Sequence, residues 1–170
     1  MTVLRCTQKL LAELRVKSGQ DTDATETGWH ANLLRIDRYR CVLFTHDQTL
    51  FSFFVCRPTR LDFEHFPAVF GQGLFKALLR AGFSQGQVEY MLEATREIRF
   101  AKTNNRRVLG SMNNMAEMLE WTISSRGGLA AADPADLQRL LNETPFKAIG
   151  YEHPLKRMQD LLSEFRGQHT

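Results

Sequence analysis

Residues 29–55, WHANLLRIDRYRCVLFTHDQTLFSFFV, contain three apolar runs, 29–36, 41–44 and 50–55, separated by the polar interruptions DRYR and THDQT. Interruptions of that length suit hairpin turns, so a three-stranded antiparallel meander is predicted. In its last strand, alternation sends Leu50, Ser52 and Phe54 to one face and Phe51, Phe53 and Val55 to the other. A strand that is apolar on both sides needs cover on both. It is therefore expected inside a sheet, with helices against it and with Phe51, Phe53 and Phe54 all largely buried.

The flanking segments extend this framework. TVLRC at 2–6 reads as a short strand, and REIRFA at 96–101 alternates, with Ile98 and Phe100 facing one way and Glu97 and Arg99 the other. Thr7 is placed to cap a helix carrying Leu10, Leu11 and Leu14. Phe66, Phe70, Leu74 and Leu78 mark a buried helical stripe, and Pro67 moves its start to His65 or Phe66, leaving 61–64 as a separate turn. Ser84 and Gln87 form a capping-box pattern. From Asn105, the spacing of Val108, Met112, Met115, Leu119 and Ile123 predicts a long helix that ends at Gly127-Gly128.

Asp133-Pro134 and His153-Pro154 open two more helices. The apolar stripe of the last one, Leu155, Met158, Leu161, Leu162 and Phe165, must dock on this domain or on a homodimer mate. The expected fold class is α+β: a mostly antiparallel sheet built on the meander, flanked by five to six helices, with the order of the outer strands left open.

A chain of 170 residues suits a single domain over 1–170. Residues 18–27, SGQDTDATET, have one alanine as their apolar content and read as a mobile loop inside that domain. Cys6, Cys41 and Cys56 are odd in number and lack CxxC spacing, so they are expected to be reduced core thiols in a cytoplasmic protein. No apolar run approaches the ~20 residues of a membrane span, and the first residues mix charges with leucines, unlike a signal peptide.

The search for chemistry is mostly negative. Neither GxxxxGK with Ser or Thr nor GxGxxG occurs, and histidines 30, 46, 65, 153 and 169 show no metal-ligand spacing, so no cofactor and no metal are expected. His46-Asp47 falls in the second hairpin turn, where turn chemistry outweighs a catalytic dyad. One constellation stands out. Thr103, Asn104 and Asn105 are candidate caps, and Arg106 and Arg107 occupy the first helical turn, where the helix dipole disfavours cations. An anion, or an acidic side chain from elsewhere, relieves that conflict.

Together with Arg38 and Arg40 at the first hairpin and Arg99 on the preceding strand, these arginines suggest a basic surface, and the net charge of +3 permits nucleic acid as a partner. The leading reading is a binding or regulatory module that engages protein or nucleic acid. The rival is a small enzyme acting on a phosphate-containing or nucleic-acid substrate, with His30 or His46 as acid or base. A pocket with a histidine near the arginines favours the enzyme, and a flat basic face favours the module.

Three segments, LRCTQKLLAEL, residues 29–55 and TNNRRVLGSMNNM, together resemble a bacterial family of domains of unknown function. The resemblance rests on Trp-x-Ala-Asn-Leu at 29–33, Arg-x-x-Leu-Phe-Thr at 40–45, Leu-Phe-Ser at 50–52 and Thr-x-Asn-Arg-x-x-Leu-Gly-Ser at 103–111. It covers most of the chain and is weakest at 18–27 and after Gly127. It implies a bacterial, cytoplasmic, single-domain protein, and it implies no activity, cofactor or catalytic residue.

Overall fold

Five strands, β1 (Thr2–Cys6), β2 (Trp29–Ile36), β3 (Tyr39–His46), β4 (Ser52–Cys56) and β5 (Ile98–Lys102), form one sheet in the order β4-β3-β2-β1-β5. The structure is a computed structural model and describes residues 1–17 and 27–163. β2 pairs antiparallel with β3, Trp29 opposite His46, and β3 pairs antiparallel with β4, Cys41 opposite Cys56. β1, however, lies parallel to both β2 and β5. The sheet is therefore mixed, in contrast to the mostly antiparallel one expected. Short interruptions report hairpins, whereas parallel neighbours are joined by long crossovers that leave no local signal.

The position of β4 also differs from expectation. It is an edge strand, and its cover on both faces comes from helices. Phe51 and Phe53 are buried as predicted, but Phe54 is only half-buried. At Ser52 the open edge is closed by a side chain: the Ser52 N–H donates to Asn142 Oδ1 at 2.8 Å, and Asn142 Nδ2 donates to the Ser52 carbonyl at 2.8 Å. Asn142 thus stands in for a neighbouring strand, one of the ways an edge is kept from pairing with another chain.

Seven α-helices are present among the described residues: α1 (Gln8–Leu14), α2 (Arg60–Glu64), α3 (Phe66–Arg80), α4 (Gln85–Ala94), α5 (Arg106–Ser125), α6 (Pro134–Asn142) and α7 (Pro154–Ser163). One more than expected arises because 61–64, read as a turn, belongs to the helix Arg60–Glu64, which carries its own capping box between Thr59 and Asp62. Ser84 with Gln87, Asn105 and Asp133 cap their helices as the sequence suggests. Thr7 does not: it holds the N-cap position of α1, but its hydroxyl lies 3.0 Å from Asn32 Oδ1.

Alternation along the strands divides the core into two clusters, one on each face. On one face, Leu4, Trp29, Ala31, Val42, Phe44 and Phe53 pack against α1, α3, α4 and α7, with Met158 and Leu162 of α7 fully buried. The C-terminal stripe therefore docks on its own core. On the other face, Ile36, Cys41, Leu43 and Leu50 pack against Val108, Met112, Met115, Leu119 and Ile123 of α5 and against α6. The loop predicted at 18–27 lies outside the described residues as far as residue 26, as does Phe165.

Candidate functional site

The α5 face of the sheet is not apolar throughout. Arg5 is opposite His30 on β2, His30 is opposite Thr45 on β3, and Thr45 is opposite Ser52 on β4. Facing residues on paired strands project to the same side, so these four polar side chains form one row across the sheet. All four are buried, Arg5 at 1% exposure and His30 at 0%. A buried cation is tolerated only when it is paired and hydrogen-bonded.

Asp47, just past the end of β3, supplies the partner. Its Oδ2 accepts from Arg5 Nη1 at 2.7 Å and from the Gly28 N–H at 3.1 Å, and its Oδ1 lies 2.6 Å from His30 Nδ1. In return the Asp47 N–H donates to the Gly28 carbonyl at 3.0 Å. Only glycine fits at 28, because a Cβ there would lie 2.2 Å from the Val3 carbonyl oxygen. The backbone must approach β1 that closely to bring Asp47 over Arg5.

The proton arrangement at His30 follows from its neighbours. A carboxylate only accepts, so Nδ1 carries the hydrogen. Nε2 then accepts from the Asn104 N–H at 3.4 Å, so the His30 ring joins Asp47 to the segment that leads into α5. With both ring nitrogens engaged and the ring sealed from solvent, His30 positions its neighbours and is not placed to exchange protons with a ligand.

Asp47 is 13% exposed on its side chain, and this exposed part lines a cleft of about 310 Å³ together with Asn105, Arg107, Ile149 and Arg157. The N-terminus of α5 enters the cleft with its cap in place: Asn105 Oδ1 accepts from the N–H groups of Arg107 and Val108 at 3.0 and 3.2 Å. Arg107 donates to the Ala148 carbonyl, and Arg157 donates to the Ile149 carbonyl at 3.1 Å. Among the described residues neither guanidinium is ion-paired with a carboxylate. Two arginines anchored to adjacent carbonyls thus border one cleft.

The other residues singled out in the sequence are dispersed. Arg106 is exposed in the first turn of α5. Thr103 is half-buried between β5 and α5. Arg99 faces Val3 from the edge strand β5. Arg38 lies in the β2–β3 turn beside Asp37, whose carboxylate accepts from the Leu129 N–H beyond the far end of α5. A twenty-residue helix is about 30 Å long, so Arg38 is remote from Arg106 and Arg107. Arg40 is on the opposite face of the sheet, 3.1 Å from Glu13 and over the Phe63 ring.

His46 is buried and turned away from Asp47's partners. Its Nδ1 accepts from the N–H and hydroxyl of Thr49 at 3.2 and 3.0 Å, and its ring meets Trp29 edge-on at 5.0 Å. Burial pushes it down to about 4, and the charge of Asp47 opposes that shift in part. His46 and Asp47 thus do not act as a pair, and Asp47 pairs with Arg5 and His30 instead. Sequence reasoning missed Arg5 and Arg157, and weighed Asp47 only as a turn residue beside His46. A single charge inside the apolar strand TVLRC was the available signal for Arg5.

Over residues 3–157 the chain matches the family described as Domain of unknown function (DUF6933). No curated protein and no solved structure matches it.

Proposed function

Because the chain belongs to the DUF6933 family, a domain of unknown function, its own geometry has to carry the functional argument, and we propose that it is a binding module for a small anionic ligand bearing a phosphate or carboxylate group. The observation that carries this reading is the pair of arginines, Arg107 and Arg157, bordering one cleft without a carboxylate partner of their own. Arginine presents a planar fork suited to such oxygens. Asp47 is held and charge-compensated by Arg5, so it offers acceptor lone pairs to a hydroxyl or amine on the same ligand. The separation of Arg38 and Arg40 from this cleft favours a compact ligand over a long polyanion lying across one basic face. Its three free thiols fit a reducing, cytoplasmic setting.

The test is a melting-temperature titration with inorganic phosphate, pyrophosphate, citrate and a short single-stranded oligonucleotide. Pyrophosphate or citrate is expected to raise the midpoint, as any ligand selective for the folded state does. The double variant Arg107→Ala and Arg157→Ala is expected to lose that rise while keeping its ligand-free midpoint within a few degrees. An equal rise in the variant, or none with any anion, overturns the reading. A rise with the oligonucleotide alone returns the argument to nucleic acid.

A second reading, an enzyme acting on a phosphate-containing substrate, draws support from the His30–Asp47 hydrogen bond behind the cleft. It requires His30 to become exposed, since the ring is fully buried. Hydrolysis of a generic phosphate ester that disappears in His30→Gln, with anion binding retained, would establish it.

A further inference from the structure

Cys41 and Cys56 face each other across the β3–β4 ladder with their sulfurs 3.4 Å apart. The Arg57 N–H donates to the Arg40 carbonyl at 2.9 Å, so Arg40 and Arg57 form a hydrogen-bonded pair and the adjacent Cys41 and Cys56 a non-hydrogen-bonded one. Facing Cα atoms in such a pair are about 4.5 Å apart, which falls within the span of roughly 4.4 to 6.8 Å that a disulfide bridges. Cys41 is fully buried, whereas Cys56 is half-exposed at the sheet edge and lines a second cleft, between α3 and α6.

The surroundings distinguish this pair from an inert core thiol. The Cys56 S–H holds the Cys41 thiol below its ordinary range, and Arg57 adds to that effect through its N–H and its charge. The same sulfur contact, followed by burial, pushes Cys56 up. The Cys6 S–H instead donates to the Leu4 carbonyl at 3.7 Å, and burial pushes it up to about 12.

We propose that Cys41 and Cys56 are a reversible redox pair that closes a cross-strand disulfide when the protein meets a peroxide. Cys56 is the sulfur that solvent reaches, and in the minor form in which it is the thiolate it accepts from the Cys41 S–H at 3.4 Å. That thiolate attacks one peroxide oxygen, the O–O bond breaks, and the leaving hydroxide takes up the proton that Cys56 released and departs as water. Cys41 then attacks the sulfenic sulfur of Cys56; the S–S bond forms, the S–O bond breaks, and the second hydroxide leaves as water with the remaining proton. Two thiols give up two electrons and two protons, and one peroxide becomes two waters. The bond ties the last residue of β4 to β3 and closes a loop that contains the Asp47 turn.

The full chain, treated with hydrogen peroxide, alkylated and digested without reductant, is expected to yield a linked pair of peptides containing Cys41 and Cys56. Dithiothreitol should abolish the link, and Cys6 should remain a free thiol alkylated only after denaturation. In Cys56→Ser, where only a half-exposed side chain changes, Cys41 should stay reduced under the same treatment. Oxidation of Cys56 to sulfinic acid with Cys41 still alkylatable, or a link involving Cys6 or a second chain, overturns the proposal. Because the wild-type protein gives the decisive result, a misfolded variant leaves the test intact.

Discussion

The two faces of the sheet are built from the same strands and are both packed by helices, but they are held together differently. On the α1, α3, α4 and α7 side, Trp29, Phe44, Phe53 and Phe70 meet one another with ring centroids 4.9 to 5.9 Å apart. Such a face depends on volume and area, and each contact is replaceable by another of similar shape. On the α5 side the polar row interrupts the apolar packing. Thr45 and Ser52 bond each other at 2.8 Å, Ser52 lies 3.2 Å from Met115 Sδ, and Arg5 and His30 converge on Asp47. A buried polar network is only as good as its least satisfied member, so this face depends on specific partners. The polar row is also the face that opens into the cleft, so Arg107 and Arg157 stand beside the less tolerant half of the core.

The sharpest way to break this comparison is a pair of double-mutant cycles. Phe53→Ala on the apolar face is expected to cost about 3 to 5 kcal/mol through lost burial and a residual cavity. Arg5→Ala on the polar face is expected to cost about as much, roughly 3 to 5 kcal/mol, for a different reason: it strands Asp47 and His30 beside an unfilled space. In urea titrations, Arg5→Ala combined with Phe53→Ala should be additive within about 0.5 kcal/mol, while Arg5→Ala combined with Asp47→Ala should show a coupling of about 1 to 3 kcal/mol. Additivity for Arg5 and Asp47 would mean the network is not a unit.

The next prediction concerns pH. His46 sits opposite Trp29 on the aromatic side and is buried neutral, its folded pKa lowered to about 4 from the ordinary 6.5. The unfolded chain therefore takes up a proton below about pH 6.5 that the folded chain refuses until about pH 4. Stability is full above the upper value and falls as pH drops through this window, by about 3 kcal/mol in all. The loss between pH 7 and pH 4 should be smaller by that amount in His46→Gln, measured by urea midpoints at both pH values. An identical pH profile in the variant would place the acid sensitivity elsewhere.

A smaller effect is expected at the sheet edge. Asn142→Ala removes the side chain that bonds both backbone groups of Ser52, and should cost about 2 kcal/mol in a denaturant titration. The variant should also scatter light at concentrations where the wild type does not, since an edge strand is then open to pairing. The smallest expected effect is at the start of α5. Arg106 is exposed, without a described partner, at the positive end of the helix dipole, so Arg106→Ala should stabilise slightly, by about 0.3 kcal/mol. A loss of stability there would reveal an interaction that the α5 side depends on.

Much of this was legible in the sequence because it depends on near neighbours in the chain. Alternation in 50–55 correctly assigned Phe53 to one cluster and Leu50 and Phe54 to the other. Capping patterns located the starts of α4, α5 and α6, and Pro67 located the break before α3. These signals have periods or spacings of two to four residues, and such spacings survive whatever tertiary arrangement follows. Arg107 is legible in the sequence as a cation at a helix start, while its place in a cleft is not.

What the sequence could not supply is anything set by strands meeting out of chain order. The parallel insertion of β1 between β2 and β5 brings Arg5 beside His30, and the end of β3 brings Asp47 to both. The α7 residue Arg157 reaches the same cleft as Arg107, fifty positions away in the chain. In sequence Asp47 and Arg157 look like ordinary solvated residues, and the lone charge of Arg5 in an apolar strand names no partner, because the partner that offsets its burial exists only once the sheet has closed. Local periodicity thus determined which side chains face the core, and the strand order alone decided which polar groups meet there.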